Sequence, residues 1–249
     1  MALQEDLRTQ GDFLFRHRSY LPLGLILVGL CVKVYQERFN SPASEGLINE
    51  SLEAVALAIG LIGLAVRMVT IGFAPKDTSG RNTGAGQVAA VLNRTGAYSV
   101  CRNPLYFGNY LMWLAIALIA GNIWFVALFS LAFWIYYERI IYAEESFLRD
   151  KFGAAYLHWA ENTPMFFPDL SRYQAPATPF DWRRVLRQEK NGFFALMLLI
   201  CVFSLAGDLA EGELSVAEEC ATVSAALFAG LTYGLLKFLK TRTSVLDTA

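Results

Sequence analysis

The sequence predicts an all-α, polytopic membrane protein with about six transmembrane helices, a tight central helical hairpin among them, and a cytoplasmic helical region. Three observations carry this. Hydrophobic residues make up 55% of the 249 and charged residues only 17%, a balance outside that of soluble domains of this size. The apolar residues gather into six runs, at about 19–36, 51–73, 104–121, 123–142, 191–207 and 220–239, and a helix needs roughly 17 to 25 such residues to cross a bilayer. The basic residues alternate with those runs. Lys76, Arg81, Arg94 and Arg102 lie between the second and third, and Arg149, Lys151, Arg172, Arg183, Arg184, Arg187 and Lys190 lie between the fourth and fifth. Arg8, Arg16, Arg18, Lys240 and Arg242 sit near the two ends, whereas "GDLAEGELSVAEE", residues 207–219, holds five acids and no base. Positive residues are retained in the cytoplasm, so both termini and both long connections are expected there.

The polar start "MALQEDLRTQGDFLFRHRSY" has no cleavable signal-peptide pattern and is expected to stay in the mature protein. In the second run Arg67 is expected to snorkel to the inner boundary or to neutralise an anionic lipid headgroup. "TSGRNTGAG", residues 78–86, follows no strand and ends in no Lys-Ser/Thr pair, so it is neither a Walker loop nor a Rossmann fingerprint and is expected to be a flexible loop. The third run opens on "CRNP". Pro104 suits the first turn of a helix and biases Asn103 away from helical geometry, which leaves Arg102 and Asn103 at a helix N-terminus, where an anion is favoured. Taken alone, an arginine there also fits ordinary snorkelling.

Only Gly121 and Asn122 separate the third and fourth runs, so these form an antiparallel hairpin with both open ends on the cytoplasmic side. The fourth run continues beyond the membrane as a helix. Steps of three and four put Ile141, Glu144, Leu148 and Phe152 on one stripe, and Glu138, Glu145 and Arg149 on another. Glu145 is therefore expected to be an exposed partner of Arg149, and Glu144 to face an apolar surface that calls for a ligand or Arg102 as partner. The four cysteines have no CxxC spacing and read as small apolar residues; His17 and His158 fit no ligand spacing, so no metal is expected, and nucleic acid is not among the expected partners.

"GAYSVCRNPLYFG", an apolar hairpin, and then "EESFLRDKFGAAYLHWAENTPMFFP" closely resemble the isoprenylcysteine carboxyl methyltransferase and phospholipid methyltransferase family of integral membrane enzymes. The matching positions are Gly96, Tyr98, Arg102, Asn103, Pro104, Tyr106 and Gly108, then Glu144, Glu145 and Leu148, then Phe152, Gly153, Tyr156 and Pro164. Asn103 stands where the family pattern has histidine, so it offers hydrogen bonds without a titrating imidazole. The resemblance covers about residues 87–170, a methyltransferase core, flanked by an N-terminal two-helix region with its loop (1–86) and a C-terminal linker with two further helices (171–249).

The resemblance implies S-adenosyl-L-methionine as methyl donor, held at the cytoplasmic boundary. It implies catalytic roles for Arg102, Asn103 and Glu144. It also implies cofactor contacts from Gly96, Tyr98, Arg102, Asn103, Pro104, Tyr106, Gly108, Glu144 and Glu145. The acceptor is expected to be a lipid or lipidated molecule in the bilayer. A carboxylate or phosphate oxygen is favoured, because an amine would need a base and no histidine joins the group. A phospholipid amine N-methyltransferase is the alternative. A small transporter would instead predict broken helices with polar groups at mid-membrane, and none is evident.

Overall fold

The computed structural model describes residues 3–17, 21–39, 46–75, 81–83, 86–212 and 216–247. Its helices are α1 (Leu3–His17), α2 (Leu21–Phe39), α3 (Gly46–Gly72), α4 (Ala97–Val100), α5 (Pro104–Ile119), α6 (Ile123–Phe152), α7 (Ala154–Asn162), α8 (Trp182–Glu211) and α9 (Val216–Arg242). A three-residue antiparallel ribbon, β1 (Arg81–Thr83) with β2 (Gly86–Val88), stands in the region read from sequence as a flexible loop. Lys76 and Arg18, and the side chain of Arg81, fall outside the described residues.

The fold is all-helical in its body, as composition and periodicity predict. Four of the helices, within α3, α6, α8 and α9, are long and apolar enough to cross a membrane, and a fifth span results if α1 and α2 are taken together as one bent pair. The sequence count of six is therefore not reproduced. α2 carries Lys33, Glu37 and Arg38 within its last two turns, and α5 stops after 16 residues. At ~1.5 Å per residue, α5 reaches about 24 Å, short of a hydrocarbon layer of about 30 Å.

The hairpin forms as expected. Ala120 ends α5, Gly121 takes φ 72° where a side chain would be strained, and the Asn122 side chain caps α6 by accepting from the Phe125 amide at 3.0 Å. Its two arms meet through rings: Tyr106 against Tyr137 at 4.9 Å and Tyr110 against Phe133 at 5.1 Å. The closest approach of α5 is nonetheless to α3. Gly63 and Gly108 face one another there: a Cβ on Gly63 would stand 2.6 Å from the Gly108 carbonyl oxygen, and one on Gly108 would stand 2.6 Å from Arg67 Cγ. Gly108, expected from the family pattern to lie against a cofactor, is thus accounted for by backbone packing.

α6 runs 30 residues, about 45 Å, and its last turns project past the span. There α1 braces it. Tyr136 donates to the Leu14 carbonyl at 3.1 Å, Arg139 to the Gln10 side chain at 2.9 Å, and Arg8 pairs with Asp150 at 3.1 Å, while Phe15 is buried beneath. Arg8 of α1 reaches Asp150 near the end of α6, and Arg187 near the start of α8 reaches Asp247 beyond α9, at one end of the bundle; at the other, Gln36 and Arg38 of α2 reach the Gly121 and Ala210 carbonyls.

The α3–α5 contact makes a direct prediction. Gly63→Ala should lower the melting temperature by the equivalent of about 1–3 kcal/mol, because two backbones must separate. Gly24→Ala, where an added Cβ meets nothing within 4 Å, should not lower it.

Candidate functional site

The polar residues singled out from sequence converge where the start of α5 meets the projecting part of α6. Arg102 donates from Nε to Glu145 Oε1 at 2.9 Å and from one Nη to the Ala160 carbonyl at 2.6 Å, and its amide donates to the Pro164 carbonyl at 2.8 Å. Asn103 donates from Nδ2 to the same Glu145 Oε1 at 3.2 Å and to the Met165 carbonyl at 3.0 Å. Both side-chain bonds to Glu145 fall on Oε1, which leaves Oε2 able to accept from something else. The pair is mostly shielded, its two side chains 17% and 22% exposed. Charges so placed hold each other firmly only when further hydrogen bonds fix the geometry, as Asn103 and the carbonyls do here.

This corrects the pairing read from the helical stripes. Glu145, not Glu144, meets Arg102, while Arg149 is exposed. The stripe argument equated the polar side of α6 with solvent. Beyond the membrane, however, that side is covered by α7 and by the loop ahead of α5. Glu144 is half-buried and its charge reaches Tyr98, so it belongs to the same neighbourhood from the next position round.

The loop carrying Arg102 is fixed by a strap, residues 163–181, of which the sequence reading placed the part up to 170, with Pro164, in the methyltransferase core and the rest in the linker. The Asp169 amide donates to the Val100 carbonyl at 2.9 Å, the Gln174 amide to Ser99 Oγ at 2.9 Å, and the Gly96 amide to the Gln174 carbonyl at 3.0 Å. Gly96 sits at φ 60°, which explains a glycine at that motif position. Phe166, 4% exposed, inserts its ring between α5 and α6 against Tyr110 and Trp134. Cys101 donates from Sγ to the Phe166 carbonyl at 3.0 Å. Burial pushes its thiol up to about 12, outweighing the Asn103 amide and the Arg102 charge that pull it down. Pro104 is buried at the first turn of α5, and Tyr106 packs on Tyr137, so neither is presented by these contacts as a polar ligand group.

Two tyrosine hydroxyls complete the site. Tyr98 has its hydroxyl enclosed although part of the ring is accessible; burial, then the Glu144 charge, raise its pKa, with Arg67 opposing. Tyr156 is 3% exposed and, among the described residues, its hydroxyl has no hydrogen-bond partner. Burial first, and then the nearby Glu145 carboxylate, raise its pKa as well. A hydrogen-bonding interaction with the Glu145 side chain adds to that rise, although the hydroxyl does not reach full hydrogen-bond geometry. Both phenols stay protonated at neutral pH and can donate. An orphaned buried hydroxyl beside a carboxylate with a spare oxygen is a place where a polar ligand relieves a cost of about 1–3 kcal/mol.

One contributor carried no sequence signal. Glu189 of α8, 3% exposed, takes Arg67 in a two-point pair at 2.8 and 2.6 Å, with Asn109 accepting from Arg67 at 2.5 Å. Arg67 therefore points inward, toward the site, and does not snorkel. The last two helices are tied to the core through it.

Residues 54–155 match the protein family described as phospholipid methyltransferase. The cobalt-zinc-cadmium resistance protein CzcN of Cupriavidus metallidurans is 32% identical over 171 residues, 69% of this chain and 73% of that protein. The nickel-cobalt-cadmium resistance protein NccN of Alcaligenes xylosoxydans xylosoxydans is 32% identical over 129 residues, 51% of this chain and 56% of that protein. No solved structure matches the chain.

The raised thiol pKa gives a test of the strap. Iodoacetamide labelling of Cys101 in the folded protein should stay low from pH 7 to 10, since burial keeps the thiol protonated well above its ordinary range. Peptide mapping that found labelling rising with a midpoint near the ordinary ~8.5 would contradict the enclosure.

Proposed function

The chain belongs to the phospholipid methyltransferase family, and on that premise we propose that it is a membrane methyltransferase using S-adenosyl-L-methionine to methylate a lipidic acceptor. The observation that carries the proposal is the shielded Arg102–Asn103–Glu145 node with a spare carboxylate oxygen and the unpartnered Tyr156 hydroxyl beside it. These groups fit the polar parts of such a donor. Glu145 Oε2 would accept from its ammonium group or ribose hydroxyls, the Tyr156 hydroxyl would donate, and the faces of nearby rings would cover the adenosine.

The donor supplies an electrophilic methyl group on a cationic sulfonium. The residues of the chain have the work of alignment and exclusion of water. Arg102 is engaged by Glu145 and Ala160 and so holds the carboxylate in place; it is assigned here to organising the site. Glu144, next to the protonated Tyr98, faces the same neighbourhood and is assigned to the donor's cationic end.

A carboxylate or phosphate oxygen is the preferred acceptor. Neither histidine lies in the node: His158 is exposed on α7, and the His17 ring contacts the Phe13 carbonyl at 2.8 Å. Both site tyrosines are held protonated, so they are not bases at neutral pH. An acceptor that is already an anion needs none. The site is assigned to the cytoplasmic boundary, following the basic residues gathered at that end of the bundle. The relatives' names speak of metal resistance, but the proposal gives this chain no metal.

The test is methyl transfer from labelled S-adenosyl-L-methionine, with the purified protein and a total lipid extract. Label should appear in a lipid, and Glu145→Gln should reduce the rate about 10²-fold through misplacement of the node, with the fold intact by thermal melting. Full activity in folded Glu145→Gln would overturn the site assignment. A label on an amine headgroup would replace the oxygen acceptor by the phospholipid amine.

A further inference from the structure

A second ionic group lies between the last two helices and takes no part in the node. α8 turns Glu189 toward Arg67, and turns Lys190, the next residue, toward α9. Lys190 is 7% exposed, and its ammonium donates to the Arg187 carbonyl at 2.8 Å, a neutral acceptor. Three further cations act on it: Lys240 and Lys237 from α9 and Arg187 from its own helix. Toward the middle of the helices α8 and α9 meet through Phe194 stacked on Tyr233 at 5.2 Å, with Lys237 above that tyrosine at 5.6 Å. Among the described residues the carboxylate paired with this group is Asp247, 3.6 Å from Arg187 and 65% exposed. It is brought there by the turn after α9, in which Leu246 is 2% exposed.

Among the described residues the Lys190 ammonium, on a largely shielded side chain set among like charges, has a neutral carbonyl as its acceptor, and an entering anion would stabilise it. We propose that the cationic cluster between α8 and α9 binds a phosphate group, that of an anionic lipid headgroup, with Lys190 innermost and Arg187, Lys237 and Lys240 around it. The depth suits a lipid. α8 has 30 residues, about 45 Å, against a hydrocarbon layer of about 30 Å, so its first turns fall at headgroup level. Leu231, Leu235 and Phe238 of α9 are exposed along the way toward the bilayer interior, where acyl chains run. A phosphate offers several acceptor oxygens to a ring of ammonium and guanidinium donors, and basic pockets between membrane helices hold such headgroups. Asp247 already occupies one edge as an internal anion and competes for Arg187.

The experiment measures thermal melting of the purified full chain in detergent with dioctanoyl phosphatidylglycerol, dioctanoyl phosphatidylcholine or inorganic phosphate. Phosphatidylglycerol should raise the melting temperature saturably and phosphatidylcholine should not. The double substitution Lys237→Gln, Lys240→Gln, at exposed positions, should weaken the apparent affinity roughly tenfold or more, and Asp247→Asn should strengthen it. Stabilisation by S-adenosyl-L-methionine should be unchanged in the double variant, which separates this site from the proposed methyl-transfer site. An equal shift from inorganic phosphate, lost in the double variant, would keep the phosphate site and assign it a soluble source. An equal shift from phosphatidylcholine, or a phosphatidylglycerol shift indifferent to the double substitution, would overturn the proposal.

Discussion

One ion pair constrains this end of the molecule: Arg102 on Glu145, 43 residues apart, largely screened from water. Removing either partner leaves the other charge stranded, which costs several kcal/mol at a fully buried site and somewhat less here, where about a fifth of each side chain is exposed. The geometry around the pair follows from that cost. Pro104 stops the helix from running back over Arg102, Asn103 adds a second donor to the same carboxylate oxygen, and the Ala160 and Pro164 carbonyls take donors of Arg102 that would otherwise be unmet.

The membrane helices deliver the two partners to that meeting point. A two-residue turn sends α6 back beside α5, and 30 residues of uninterrupted helix carry Glu145 beyond the span to the level of the loop. α1 braces α6 from one side, and the strap lays Phe166 between α5 and α6 from the other. α3 supplies a close glycine contact to α5 and an arginine that α8 holds in turn. The C-terminal helices thus take part in the core as well as extending it, and their cationic cluster lies at the same end as the node.

Much of this was legible in the sequence because its causes are local. Hydropathy located the helical runs, "GN" marked the hairpin, and the Arg-Asn-Pro threshold together with the adjacent Glu144 and Glu145 identified the two segments that meet. The choice between Glu144 and Glu145 was not legible, because a 3.6-residue stripe reports which face is polar but not what covers it; α7 and the loop cover Glu145 from regions distant in sequence. The start of the strap, with Pro164, was legible as motif, but its hold on the loop was not, because that ladder rests largely on backbone groups, which no side-chain pattern announces. Glu189 sat in a basic stretch, and nothing there distinguished it from a solvated acid until Arg67, 122 residues away, was seen against it. The count of six spans is not reproduced among the described residues where polar residues in α2 and the short length of α5 depart from a simple crossing.

The central claim is that Arg102 and Glu145 act as one unit in building the donor site. A double-mutant cycle on the Kd for S-adenosyl-L-methionine, using Arg102→Ala, Glu145→Ala and the double variant, addresses it most directly. The account predicts that each single change weakens binding and that the double variant is little worse than the weaker single one. Effects that simply multiply, or a Kd unmoved by either change in folded protein, would contradict it.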